Sequence, residues 1–69
     1  MNLKQTMRKS GITIQKMVDL TGLSRGTITT AIQNKKAIRY VNAQLMVDAI
    51  NDKKGTNYTV EDLSILTIE

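Results

Sequence analysis

Apolar residues along this 69-residue chain recur at helical spacing between glycines and small capping residues, and the pattern predicts five helices. In the first, Leu3, Thr6, Met7 and Ser10 share a face. Asn2 stands at its cap with Gln5 three positions on, and Gly11 ends it. In the second, Ile14, Met17 and Val18 repeat at i, i+3, i+4 behind a Thr13 cap, with Ile12 placed to pack on Met17 as a staple. Gly22 follows where a left-handed residue would close that helix. Ser24 then caps a third helix, about Arg25 to Gln33, whose apolar face is Ile28, Ala31 and Ile32.

The stretch from residue 13 to residue 34 organises the rest. Two short helices joined by a tight glycine turn, the second with a hydrogen-bonding outer face, make a helix-turn-helix. In that motif the first helix braces the second in a DNA major groove. The outer face of the third helix shows Arg25, Gly26, Thr29, Thr30 and Gln33. Arg25 is the strongest base-reading candidate, because its fork can bond guanine O6 and N7 together. Thr29 and Thr30 could touch a thymine methyl or make a hydrogen bond; simple exposure is the bland alternative. Gly26 costs roughly 1 kcal/mol of helix propensity relative to Ala, which close approach to DNA would justify; an ordinary tolerated glycine is the alternative. The free N–H groups at the start of the second helix could face a phosphate, with Thr13 and Gln15 assisting. A plain capping role for Thr13 is compatible with that.

Residues 34–40 link to the next helix and carry Lys35, Lys36 and Arg39, a cluster suited to holding phosphates, while Ile38 anchors the loop. A fourth helix, Val41 to Lys54, has Ala43, Leu45, Met46, Val47, Ala49 and Ile50 on more than one face and is expected to be central. Asp48 and Asp52 on it are read as a solvated stripe, since nothing nearby could complete an acid–base site. Thr59 and Asp62 form a capping box for a short fifth helix, Val60 to about Ser64. The tail, Ser64–Glu69, is too apolar to hang free. It is open to three readings: the end of that helix, a strand, or a cover for a partner subunit.

Sixty-nine residues make a single domain, 1–69, which buries only about 60% of its unfolded surface and gains from dimerisation. Charge sharpens the picture. Residues 1–40 hold eight bases against the one acid Asp19, and residues 41–69 hold two bases against five acids, so halves of +7 and −3 give the net +4. The half that would attract phosphates is the half with the helix-turn-helix. Lys4, Arg8 and Lys9 on the first helix are read evenly as a solvated face or as contacts to the flanking DNA backbone. With no Cys and no His, the chain lacks a disulfide, a thiolate zinc site, a cysteine nucleophile, the usual general base and the usual metal ligand. No cofactor, metal or small-molecule substrate is expected, and an enzyme is the least favoured class. No apolar run approaches the roughly 18 residues of a membrane span and no signal peptide is visible, so a cytoplasmic protein is expected. The start at Met1 and the structured-looking end are compatible with a complete small protein.

These residues resemble the phage-repressor class of helix-turn-helix proteins, the Cro and lambda-repressor type. The resemblance covers residues 3 to about 63. It rests on Met17-Val18, the turn Thr21-Gly22-Leu23-Ser24, Arg25 through Ile28, the exit Gln33-Asn34-Lys35-Lys36, Asn42-Ala43 with Leu45-Met46, and the closing Thr59-Val60-Glu61-Asp62-Leu63. It implies an all-α, compact five-helix bundle that binds double-stranded operator DNA as a two-fold homodimer and regulates transcription, more often as a repressor. By matching position, Arg25, Gly26, Thr29 and Thr30 would face bases, and Thr13, Gln15, Ser24, Thr27, Gln33, Lys36 and Arg39 would face the backbone. Two positions depart from the pattern: Ile14 stands where the family often has a phosphate-contacting Gln, and Val18 where it prefers Ala. Two alternatives stay open: an excisionase-like accessory protein of a mobile element, and a protein-interaction module (antitoxin or anti-repressor) using the last two helices and the tail.

Overall fold

Residues 1–68 are described by the computed structural model; Glu69, the last position of the expected tail, lies outside the described residues. The first three helices form where their caps place them. Helix α1 (Leu3–Ser10) opens on a reciprocal box: Asn2 Oδ1 accepts from the Gln5 N–H at 2.8 Å, and Gln5 Oε1 accepts from the Asn2 N–H at 3.2 Å. It stops at Gly11, whose left-handed φ of 69° glycine adopts more cheaply than any residue with a Cβ. Helices α2 (Ile14–Thr21) and α3 (Arg25–Gln33) follow, with Thr13 and Ser24 as their caps. Helix α4 (Tyr40–Lys54) is the longest, and it packs against both α1 and α2.

The core lies between these layers. Leu3 and Met7 of α1, Ile12, Met17 of α2, Ile28 and Ala31 of α3, and Ala43, Met46, Val47, Ala49 and Ile50 of α4 are buried together. Ile12 and Met17 share that core, as the staple requires. Val18 and Ile14 pack against its edge, so the larger side chain at position 18 is accommodated at the core boundary. Leu45 differs from expectation: it faces outward and is 40% exposed, because α4 has open solvent on that side.

The chain is not an all-α five-helix bundle. Four α-helices are present among the described residues, with a two-stranded parallel sheet and one turn of 3-10 helix. The link after α3 runs as strand β1 (Ile38–Arg39), the expected fifth helix is only the 3-10 turn Glu61–Leu63, and the tail closes as β2 (Thr67–Ile68). The strands pair in the register Ile38↔Thr67 and Arg39↔Ile68, preceded by Ile38 N–H donating to Leu66 O at 3.0 Å. Parallel strands need a long crossover, and α4 supplies it.

Why the fifth helix fails is visible locally. The Thr59–Asp62 box forms, with each backbone N–H bonded to the other's side chain at 3.0 Å. After one turn, however, Ser64 takes a left-handed conformation (φ 55°), and its N–H donates to Glu61 O at 3.1 Å. Asn34 then captures the chain beyond. Its own φ is 57°; its Nδ2 donates to Ser64 O at 2.9 Å and its Oδ1 accepts from the Leu66 N–H at 3.0 Å. Val60, Leu63 and Ile65 are thereby drawn into the core. Asn51 does the same for the preceding loop, bonding Thr56 and both backbone groups of Tyr58 at 2.8–3.0 Å.

The Asn34 clamp gives a stability prediction. Asn34→Gly keeps the left-handed backbone cheap and removes only the side-chain bonds, so it should cost about 1–2 kcal/mol. Asn34→Ala adds backbone strain and should cost about 1 kcal/mol more. Urea unfolding of both variants checks this; no loss from Asn34→Gly would remove Asn34 as the clamp.

Candidate nucleic-acid interface

The turn between α2 and α3 is built by short-range bonds. Gly22, at φ 75°, closes α2 with its N–H donating to Val18 O at 2.8 Å. Thr21 stitches both sides: its hydroxyl donates to Met17 O at 2.7 Å and accepts from the Leu23 N–H at 3.1 Å. Ser24 Oγ accepts from the Thr27 N–H at 3.1 Å and lies 2.9 Å from the Thr27 hydroxyl. Thr13 Oγ1 accepts from the Lys16 N–H at 3.1 Å. Thr13 and Ser24 are thus occupied as caps, and Thr27, inside α3, bonds the Ser24 cap through its N–H and its hydroxyl.

At roughly 100° per residue, Arg25, Thr29, Gln33, Gly26 and Thr30 fall within one arc of α3, opposite Ile28 and Ala31. Arg25, Gly26 and Gln33 are exposed; Thr29 and Thr30 are half-buried. The two threonines therefore stand less proud than the pattern suggested. Thr30 also donates its hydroxyl to Gly26 O at 2.8 Å, so what it can offer outward is its methyl group and an acceptor.

Arg25 is not free to wander. Its guanidinium donates to Gln15 Oε1, and Gln15 Nε2 donates to Asp19 Oδ1 at 3.1 Å. The result is a bonded row, Asp19–Gln15–Arg25, that crosses from α2 to α3. Ile14, the apolar departure at the first position of α2, is half-buried against the core, and Gln15 one place later reaches Arg25. Gln15 therefore uses both ends of its amide within the protein. Sequence reading assigned Asp19 no part in this, although Gln15 and Asp19 stand at i, i+4 on one helix, a spacing that brings such side chains together.

Beyond α3, Lys35, Lys36 and Arg39 are all exposed, and Arg39 sits on β1, held in the sheet rather than in a loose loop. Asn34, unassigned from sequence, sets the direction of this exit; asparagine just past a helix end is the recognisable signal. On the other flank, Lys4 and Arg8 border an open apolar hollow of about 420 Å³ together with Thr13 and Ile14. That hollow brings the basic edge of α1 beside the start of α2. Tyr40, next to Arg39, donates its hydroxyl to Glu61 Oε2 at 3.3 Å. Partial desolvation, then the Glu61 charge and that bond, hold its pKa above the ordinary tyrosine value.

The structure thus brings Arg25, Gly26, Thr29, Thr30 and Gln33 onto one arc, with Thr13, Gln15, Ser24 and Thr27 at the helix starts beside it and Lys35, Lys36 and Arg39 along its exit. Among the described residues no cluster of His, Cys, Asp or Glu could hold a metal ion, and no helix is long and apolar enough to cross a membrane. No family model, no curated protein and no solved structure matches this chain.

Gly26 is the testable oddity of the arc. Its backbone is helical, and a Cβ there would meet only Ser24 Oγ at 3.9 Å, ordinary contact. Nothing inside the fold requires glycine. Gly26→Ala should raise stability by about 0.5–1 kcal/mol, read from the urea midpoint. A loss instead would show that the position is constrained within the protein.

Proposed function

We propose that this protein is a sequence-specific double-stranded DNA-binding regulator of transcription, acting as a homodimer on a two-fold operator, most simply as a repressor in the cytoplasm. One observation carries the reading: a helix-turn-helix whose second helix presents Arg25 on a bonded brace, at the head of a solvent-facing arc with basic residues along its exit. In this reading α3 enters the major groove, and Arg25 reads a base pair with its direction fixed by Gln15 and Asp19. Gly26 lets the α3 backbone come close to the base edges, with Thr29 and Thr30 offering methyl and hydroxyl contacts. Thr13, Ser24, Thr27, Gln33, Lys35, Lys36 and Arg39 meet phosphates and set the register. No catalytic role enters.

The energetics divide accordingly. Each phosphate neutralised contributes about −0.9 to the log–log salt slope on duplex DNA, while base contacts supply discrimination. One module of this size has few base contacts, so two half-sites about 34 Å apart are needed for useful specificity. Selection from random duplexes tests the whole reading. A two-fold symmetric motif supports it, and absence of any salt-dependent duplex binding sinks it in favour of a protein-binding module.

Two substitutions test the assigned roles. Arg25→Ala should weaken binding to the selected site by about 1–3 kcal/mol and leave random DNA nearly unaffected; equal losses on both would make Arg25 a backbone contact. Lys36→Ala should weaken all duplexes alike and reduce the salt slope by about one. An unchanged slope in a salt titration would remove Lys36 from the interface.

A further inference from the structure

Most of the large apolar side chains left exposed gather in one place. Val41 is 61% exposed, Ile68 57%, Leu66 45%, Leu45 40% and Tyr40 39%. All five lie where α4 springs from the sheet. Tyr40 and Val41 follow β1 directly, and Leu45 is one turn above Val41 on the same face. Ile68 is the register partner of Arg39, and Leu66, two positions earlier, falls on the same outward side. Together they leave a few hundred Å² of side chain in water, about half of one side of a standard interface, so the polar groups bordering them must supply the rest.

We infer that this face joins two copies of the chain about a two-fold axis. The charges around it favour a second copy over DNA. Glu61, bonded to Tyr40, and Asp48, one turn beyond Leu45, stand on its borders, both exposed, and Arg39 marks the border shared with the basic exit of α3. A patch bordered by both signs can complement itself when rotated on its own axis, as an isologous interface requires. It lies largely in the half of the chain with five acids to two bases, which a phosphate backbone repels. The joint is also mechanically tied to α3, because Asn34 at the end of that helix holds Ser64 and Leu66 through its side chain. A dimer formed here therefore fixes the orientation of α3 as well as its distance from the other copy.

The use of this dimer on DNA rests on the functional reading above; its existence does not, and the experiment separates them. Sedimentation equilibrium of the full chain across the micromolar range should show a monomer–dimer equilibrium. Val41→Lys and Ile68→Lys, each placing two lysines in the joint, should weaken it at least about tenfold with unchanged far-UV circular dichroism. Leu20→Lys, at an exposed apolar residue on α2 away from the patch, should leave it intact. If Ile68→Lys perturbs the sheet, the highly exposed Val41 decides alone. A chain that stays monomeric, patch variants that dimerise like the parent, or equal loss in Leu20→Lys would each overturn the inference. Duplex binding measured on the same samples distinguishes the two readings: a dimer that ignores DNA upholds this surface and removes the function, and a monomer that binds DNA does the reverse.

Discussion

The side-chain amide of Asn34 holds the C-terminal segment against the helix-turn-helix. It closes α3 in a left-handed turn and bonds Ser64 and Leu66 from thirty positions away. Ser64 ends the helical turn locally, and Asn34 then directs the chain beyond it to lie beside Ile38. The consequences spread from there. Parallel pairing of β1 with β2 places Arg39 on a fixed strand, draws Val60, Leu63 and Ile65 into the core, and leaves Leu66 and Ile68 facing out. A single amide thus connects the end of the proposed reading helix, its basic exit and the apolar face proposed for self-association.

A second constraint works at the other end of α3. The row Asp19–Gln15–Arg25 couples α2 to the first residue of α3, so the two helices are tied by side chains as well as by the Gly22 turn. Arginine carries much rotamer freedom, and holding its fork in one direction before binding lowers the entropy lost when it meets a ligand. The apolar Ile14 packs half-buried against the core edge and leaves the bracing to its neighbour.

What could be read from sequence was local chemistry. Caps at Asn2, Thr13 and Ser24 and stops at Gly11 and Gly22 depend on residues within one turn of each other, and all appear where spacing predicted them. The Thr59–Asp62 box was equally legible, but a box marks a start and says nothing of length, so a single turn passed for a helix. The sheet escaped because each strand is two residues long and its partner lies beyond α4; the alternation Ile65, Leu66, Ile68 admitted a strand without naming what it pairs with. Within the candidate interface, the reading face followed from helical periodicity. The Gln15 brace did not, because it depends on how two helices cross, and the inward hydroxyl of Thr30 depends on its rotamer.

The register of the sheet divides the molecule into two kinds of cohesion. Across residues 1 to 34, nearly every cap and turn bond joins positions a few places apart, whereas Ile38 with Thr67 and Asn34 with Leu66 close loops of about thirty residues. Loop entropy must be lost before such distant contacts return any free energy, so they form late and release early. The helix-turn-helix is accordingly the part whose turns close over short loops, while its apolar faces are buried only when α4 packs on them. The segment carrying β2 behaves as a latch, drawn shut only after α4 has brought its two ends together.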